Sequence, residues 1–137
     1  MKKIRKVLVM ESNAPIGEKI ASLFLRLAPE IEITRITSPL DLVETARRIL
    51  PDVMLLDIRL ANTREQLVRL AKNASPRSSI VLTANDTGEQ YVRRAEFLGA
   101  DGLVAKNTLA TFITDLLKPL KRQPVAGGAP DPDGGKK

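Results

Sequence analysis

Pro51–Leu60 reads PDVMLLDIRL. Four apolar residues, Val53 to Leu56, follow a Pro-Asp breaker and stop at Asp57. A short continuous apolar run behind a breaker fits a strand buried on both faces, as a parallel sheet requires. Such a strand has no water for a carboxylate in its middle, so Asp57 belongs at its end, where the backbone leaves the sheet. In open α/β sheets that carboxyl edge is where ligands bind. Asp57 is the first candidate site residue.

Working outward toward the N-terminus, Lys6 to Met10 (KVLVM) is a second β run, closed by Glu11-Ser12-Asn13. Asn13 is a helix cap, and Ile16, Ile20, Leu23, Phe24 and Leu27 recur at helical spacing over Ala14 to Leu27. Ile31 to Thr37 is β-branched and alternating, which fits a half-exposed edge strand. Ser38-Pro39 opens a second helix with a stripe of Leu40, Val43, Ala46, Ile49 and Leu50.

Beyond Asp57, a loop over Ile58 to Asn62 leads to a third helix, about Thr63 to Asn73, with Leu67, Leu70 and Ala71 inward. Ser79 to Thr83 is a fourth strand, and Glu89 to Leu98 a fourth helix stopped by Gly99. Gly102 to Ala105 is a short fifth strand ending on Lys106, and the fifth helix runs about Leu109 to Leu120. Strands alternating with helices give an α/β fold, a (βα)5 doubly wound parallel sheet. The flavodoxin-like strand order 2-1-3-4-5 suits five strands best. Residues 1–120 form one domain. Residues 121–137 are Pro/Gly-rich with almost no apolar surface, and are expected to be a disordered tail.

Composition narrows the chemistry. The 137 residues contain no cysteine and no histidine, so thiolate and imidazole catalysis, Cys-based zinc sites and internal phosphohistidine are excluded. The first apolar run is too short for a signal peptide and no window approaches a membrane span, so a cytoplasmic location is expected, with no membrane partner. The net charge of +6 comes from the ends. Residues 1–6 carry +4 and residues 118–137 carry +3, leaving residues 7–117 at −1. A nearly neutral body with four aromatic residues is a poor nucleic-acid surface, and no nucleic-acid binding in cis is expected.

In the order 2-1-3-4-5, the strand ends carrying Glu11 and Ser12, Asp57, Thr83 and Lys106 share one edge. Two carboxylates in one pocket repel unless a cation or proton intervenes, and oxygen-only ligands suit Mg2+, which keeps several waters. An ammonium and a magnesium ion together neutralise a phosphoryl group in transfer, and a carboxylate can be its acceptor. A hydroxyl at Thr83 can bond a phosphoryl oxygen and move with it.

These residues resemble the response-regulator receiver domain of two-component signalling, over about Val7 to Leu117. The resemblance implies that Asp57 is the phosphoacceptor, Thr83 in VLTAND the switch hydroxyl, and Lys106 in GADGLVAKN the phosphoryl contact. It implies that Glu11 and Asp57 hold Mg2+, with the backbone carbonyl of Arg59 as a further ligand. Ser12 stands where the family usually has a second acid, so it is a weak or lost ligand. Leu103 replaces the family's aromatic switch residue, Ala61 its usual proline after the phosphoacceptor, and Asn107 a frequent proline after the lysine. Arg59 and Asn85 occupy the positions that tune phosphoryl lifetime in the family. Arg59 either crowds the site or offers it a charge.

The function this resemblance implies is a stand-alone phosphoacceptor, not a turnover enzyme. Its partners are a histidine kinase or phosphotransfer protein and a downstream protein. A homodimer through the fourth helix, fifth strand and fifth helix is possible, with Arg93, Arg94 and Asp101 as candidate pairing residues. The alternative is a pseudo-receiver, a phosphorylation-independent interaction module, for which Ser12 and Leu103 argue. An aspartyl-phosphate phosphatase needs a further acid near its nucleophile, where Arg59 stands. A flavin carrier needs a phosphate loop and aromatics that are missing.

Overall fold

Alternate residues of each strand feed two separate cores, and this alternation builds the site. The structure, a computed structural model, describes residues 3–118. Five parallel strands, β1 (Lys6–Met10), β2 (Glu32–Ile36), β3 (Val53–Asp57), β4 (Ser79–Ala84) and β5 (Gly102–Ala105), form one sheet in the order β2-β1-β3-β4-β5. The expected flavodoxin-like order is therefore found. Among the described residues six α-helices accompany them: α1 (Ala14–Leu27), α2 (Leu42–Ile49), α3 (Ile58–Ala61), α4 (Leu67–Ala74), α5 (Glu89–Leu98) and α6 (Leu109–Leu116). The expected fourth and fifth helices are α5 and α6. The expected tail, 121–137, lies outside the described residues.

On one face, Leu8, Met10, Met54, Leu56, Ile80 and Leu82 pack with residues of α2, α4 and α5, among them Leu42, Ala46, Val68, Ala71 and Leu98. On the other, Val7, Val9, Val53 and Leu55 meet Ile20, Leu23 and Phe24 of α1 and Leu109 and Ile113 of α6. β3 is buried at all five positions, including Asp57, because helices cover both of its faces. β2 is the half-exposed edge, as its alternation predicts. Gly99 ends α5 at φ 93°, a left-handed conformation that its missing Cβ permits.

Several boundaries differ from expectation. The segment after Asp57 is not a loop but the single turn α3, because the Asp57 carboxylate caps it by accepting the Arg59 backbone N–H. The next helix begins at Leu67, not Thr63, whose hydroxyl is turned back onto the Leu60 carbonyl. That shift buries Val68 and leaves Leu70 partly exposed. The second helix opens with a 3-10 turn, Pro39–Asp41, whose tighter winding points Leu40 into solvent at 81% exposure. Leu50 lies one residue past α2 and is exposed, so neither belongs to the buried stripe; Leu42, Thr45 and Ala46 do. α6 ends at Leu116, short of the expected Leu120, which is itself outside the described residues.

Two aspartates fasten the amino ends of the strands. Asp52 Oδ2 accepts the backbone N–H groups of Arg5 and Lys6 at 2.7 and 3.0 Å. Asp101 Oδ2 accepts the Ile80 N–H at 2.8 Å, while the Asp101 N–H donates to the Ile80 carbonyl at 2.8 Å.

Candidate functional site

Strand alternation carries four polar residues to one edge. Val7 and Val9 precede Glu11, and Val53 and Leu55 precede Asp57, each at intervals of two on the α1/α6 face. Val81 precedes Thr83 and Val104 precedes Lys106 in the same way, and both valines pack on that face. Asp57 and Thr83 are register partners between β3 and β4, and Thr83 pairs in turn with Val104 of β5. Glu11 continues the ladder beyond β1, its N–H donating to the Ile36 carbonyl at 3.1 Å. In β1, β3, β4 and β5, where the apolar run on this face ends, the next residue of the same face is polar.

The side chains meet. Lys106 Nζ stands 3.0 Å from Glu11 Oε1 and 3.5 Å from Asp57 Oδ1. These side chains are nearly closed to solvent, at 9% exposure for Lys106, 2% for Glu11 and 1% for Asp57. Thr83 is buried beside them. Glu11 Oε2 accepts the Asn13 N–H at 3.0 Å, and Asn13 Oδ1 caps α1 by accepting the Ile16 N–H at 3.1 Å. The ammonium is near Glu11 Oε1 without hydrogen-bond alignment, so that buried oxygen keeps an acceptor position open. Ser12, on the opposite alternation, is exposed.

Arg59 turns back onto the carboxylate that precedes it. Its Nη2 donates to Asp57 Oδ2 at 3.2 Å, and its backbone N–H to Asp57 Oδ1 at 3.2 Å. The guanidinium is held above its ordinary pKa, first by the hydrogen bond to Asp57, then by the charges of Asp57 and Glu11. Glu11, Asp57, Lys106 and Arg59 form a neutral quartet. Arg94, a candidate pairing residue of the expected dimer, lies beside it. With Ile58, Arg59, Asn62, Gln90 and Tyr91 it lines a shallow pocket of about 320 Å³. Its Nε donates to Asn62 Oδ1 at 2.7 Å and its guanidinium lies 4.9 Å from the Phe97 ring centre. No sequence signal marks that role, since it depends on α3 and α5 meeting. The other candidate dimer residues also have partners within the chain: Arg93 pairs with Glu89, and Asp101 with Lys72. A larger cleft of about 610 Å³ lies at the opposite, amino edge of the sheet, against Ile4, Ile31, Asp52 and Leu117.

The same edge presents oxygen donors of the kind a divalent cation takes. Glu11 Oε1 has an open acceptor position and Asp57 lies at the same edge, a donor set that suits Mg2+ with several waters. Among the described residues no group of three or more acidic or other metal-binding side chains gathers, so the set is two carboxylates.

No family model matches the sequence, and no curated protein matches it. Solved structures do match the fold. The signal receiver domain of the NarL response regulator from Mycobacterium tuberculosis superposes with a TM-score of 0.67 at 20% identity, over 85% of this chain and 98% of that one. A response regulator from Hahella chejuensis gives 0.72 at 17% identity, over 82% and 92%. A response regulator from Burkholderia pseudomallei, whose structure holds a phosphorylated aspartic acid, a calcium ion and citrate, gives 0.71 at 17% identity, over 83% and 66%. With its strand order, its two helix layers and its polar carboxyl edge, the chain has the fold of a response-regulator receiver domain.

Proposed function

We propose that this chain is a phosphoacceptor signalling domain, in which Asp57 receives a phosphoryl group from a histidine kinase or phosphotransfer protein. The observation that carries the reading is the Asp57 carboxylate, buried at the sheet edge, with Lys106 Nζ 3.5 Å from Oδ1 and Thr83 its register partner. In the transfer, a carboxylate oxygen of Asp57 attacks phosphorus as the donor's P–N bond breaks. The donor imidazole leaves and an acyl phosphate forms. Lys106 offsets the charge that enters the pocket, and the Thr83 hydroxyl contacts the new phosphoryl group. Glu11, Asp57 and the Arg59 carbonyl are the residues that would hold Mg2+, with Ser12 contributing little. When bound, the ion supplies charge neutralisation for the transferred group.

The signal leaves through protein contacts, including self-association through α5, β5 and α6, where Val92 and Phe97 are exposed. We read a signalling role and not a turnover enzyme, with a cytoplasmic location. Among the described residues no helix is long and apolar enough to cross a membrane. One observation favours the pseudo-receiver: Asp57 already has two cationic partners, Lys106 and Arg59. Intact mass after incubation with Mg2+ and acetyl phosphate decides between them. A gain of one phosphoryl group in the parent and none in Asp57→Asn supports the phosphoacceptor. No gain at high Mg2+ supports the interaction module.

A further inference from the structure

Asp57 is covered from two sides by different cations. Lys106, reaching from the end of β5, faces Oδ1. Oδ2 is met by the guanidinium of Arg59, whose side chain is 64% exposed although its partner is buried. The geometry is local: α3 starts on the Asp57 cap, so the Arg59 backbone and side chain both return to the same carboxylate. Ser12, neutral and exposed, adds no charge. Two carboxylates against Lys106 alone would leave the edge at −1; Arg59 brings it to zero.

We propose that Arg59 is a tethered counter-cation for Asp57, so that its ion pair and a divalent cation at the Asp57–Glu11 edge exclude one another. A divalent ion gains Asp57 only when the guanidinium swings out to solvent, which its exposure and flexible stem allow. The charge is the active feature, not the bulk. The inference deepens the phosphoacceptor reading, and takes from it only the divalent cation at the Asp57–Glu11 edge. Arg59 is a positioning residue in this scheme. It sets how much metal the site takes up, and its guanidinium remains available as a tethered cation beside Asp57.

The test is Mn2+ binding, followed by loss of the free-ion electron paramagnetic resonance signal, with Mg2+ as competitor. Arg59→Met keeps most of the length and removes the charge. Arg59→Lys keeps a charge and loses the fork. Arg59→Met is expected to bind Mn2+ roughly tenfold tighter than the parent, because an opposite charge near a carboxylate typically changes its ligand equilibria by one decade or more, less screening. Arg59→Lys is expected to fall between them. Equal affinity in parent and Arg59→Met overturns the proposal, and so does tightening in Arg59→Ala alone, which would mean steric crowding. Absence of Mn2+ binding in all variants overturns it as well. Because the titration needs no phosphoryl transfer, failure of acetyl phosphate labelling counts against the phosphoacceptor reading and leaves this competition standing. Thermal melting confirms that the variants fold, as expected for an exposed side chain.

Discussion

Lys106 Nζ and Glu11 Oε1 lie 3.0 Å apart at the carboxyl edge of the sheet, with both side chains almost wholly withdrawn from water. Lys106 thus holds two carboxylates in a place where they would otherwise repel. Lys106→Met leaves Glu11 and Asp57 with only the exposed Arg59 to offset them. Removing one partner of a buried pair typically costs about 3–5 kcal/mol, and the open rim of this edge puts the expectation near the low end. Urea denaturation at neutral pH measures it. Adding Glu11→Gln to Lys106→Met should recover about 1 kcal/mol or more, since contacting residues couple. An unchanged denaturation midpoint in Lys106→Met would show that the contact carries no stability.

The register pairing of Asp57 with Thr83 sets a second expectation, built on the proposed function. A phosphoryl group at Asp57 arrives beside a hydroxyl on the adjoining strand, and β4 leads directly toward α5. Labelling should therefore change amide hydrogen exchange along β4 and the start of α5. Thr83→Ser should keep that change, and Thr83→Val should lose it while Asp57 still takes up label. A full exchange response in Thr83→Val would remove Thr83 from the switch.

The parts of this fold legible in the sequence are those with a repeating local cause. Val53 to Leu56 announces a two-sided strand because nothing polar interrupts it. Glu11, Asp57, Thr83 and Lys106 stand out because each ends such a run. α3 was not legible, since its four residues are too few for a period and it exists because Asp57 caps it. The partner of Arg59 was not legible either, because only a side-chain conformation separates crowding from pairing. Leu40 and Leu50 match a helical stripe by spacing alone. A 3-10 turn and a left-handed cap take them out of it, and neither has a signature in apolar periodicity.

Leu50 carries a third prediction. It closes α2 with φ 49° and ψ 64°, the one non-glycine residue with positive φ among those described. Its N–H is bonded to the Ala46 carbonyl at 2.9 Å, so the conformation is held in place, while the side chain lies largely in water. A left-handed leucine costs about 1–2 kcal/mol, and glycine removes that cost but loses more entropy on folding, about 0.5–1 kcal/mol. Leu50→Gly should therefore stabilise the domain by about 0.5–1 kcal/mol, a rise in melting temperature of roughly 2–6 °C at this size. A fall in melting temperature would mean that Leu50 packs more usefully than its exposure suggests.

Asp101 joins the amino ends of β4 and β5 through a reciprocal pair of bonds with Ile80, and it also receives Lys72 Nζ at 3.2 Å. The ion pair is half-exposed and contributes little. The bond from the Ile80 N–H is different, because Ile80 is fully buried and that amide would lose its charged acceptor. Asp101→Ala should cost about 1.5–3 kcal/mol, the range for a hydrogen bond to a charged group. Asp101→Asn, which keeps an acceptor oxygen, should cost less than half as much. Denaturant melts of the two variants separate these contributions, and native-state hydrogen exchange adds location: protection should fall first in β5, the strand that leads into Lys106. Equal losses in Asp101→Ala and Asp101→Asn would assign the stabilisation to the Lys72 ion pair instead. Uniform loss of protection across the sheet would show that the clamp acts on global stability, not on the strand that presents Lys106 to Glu11 and Asp57.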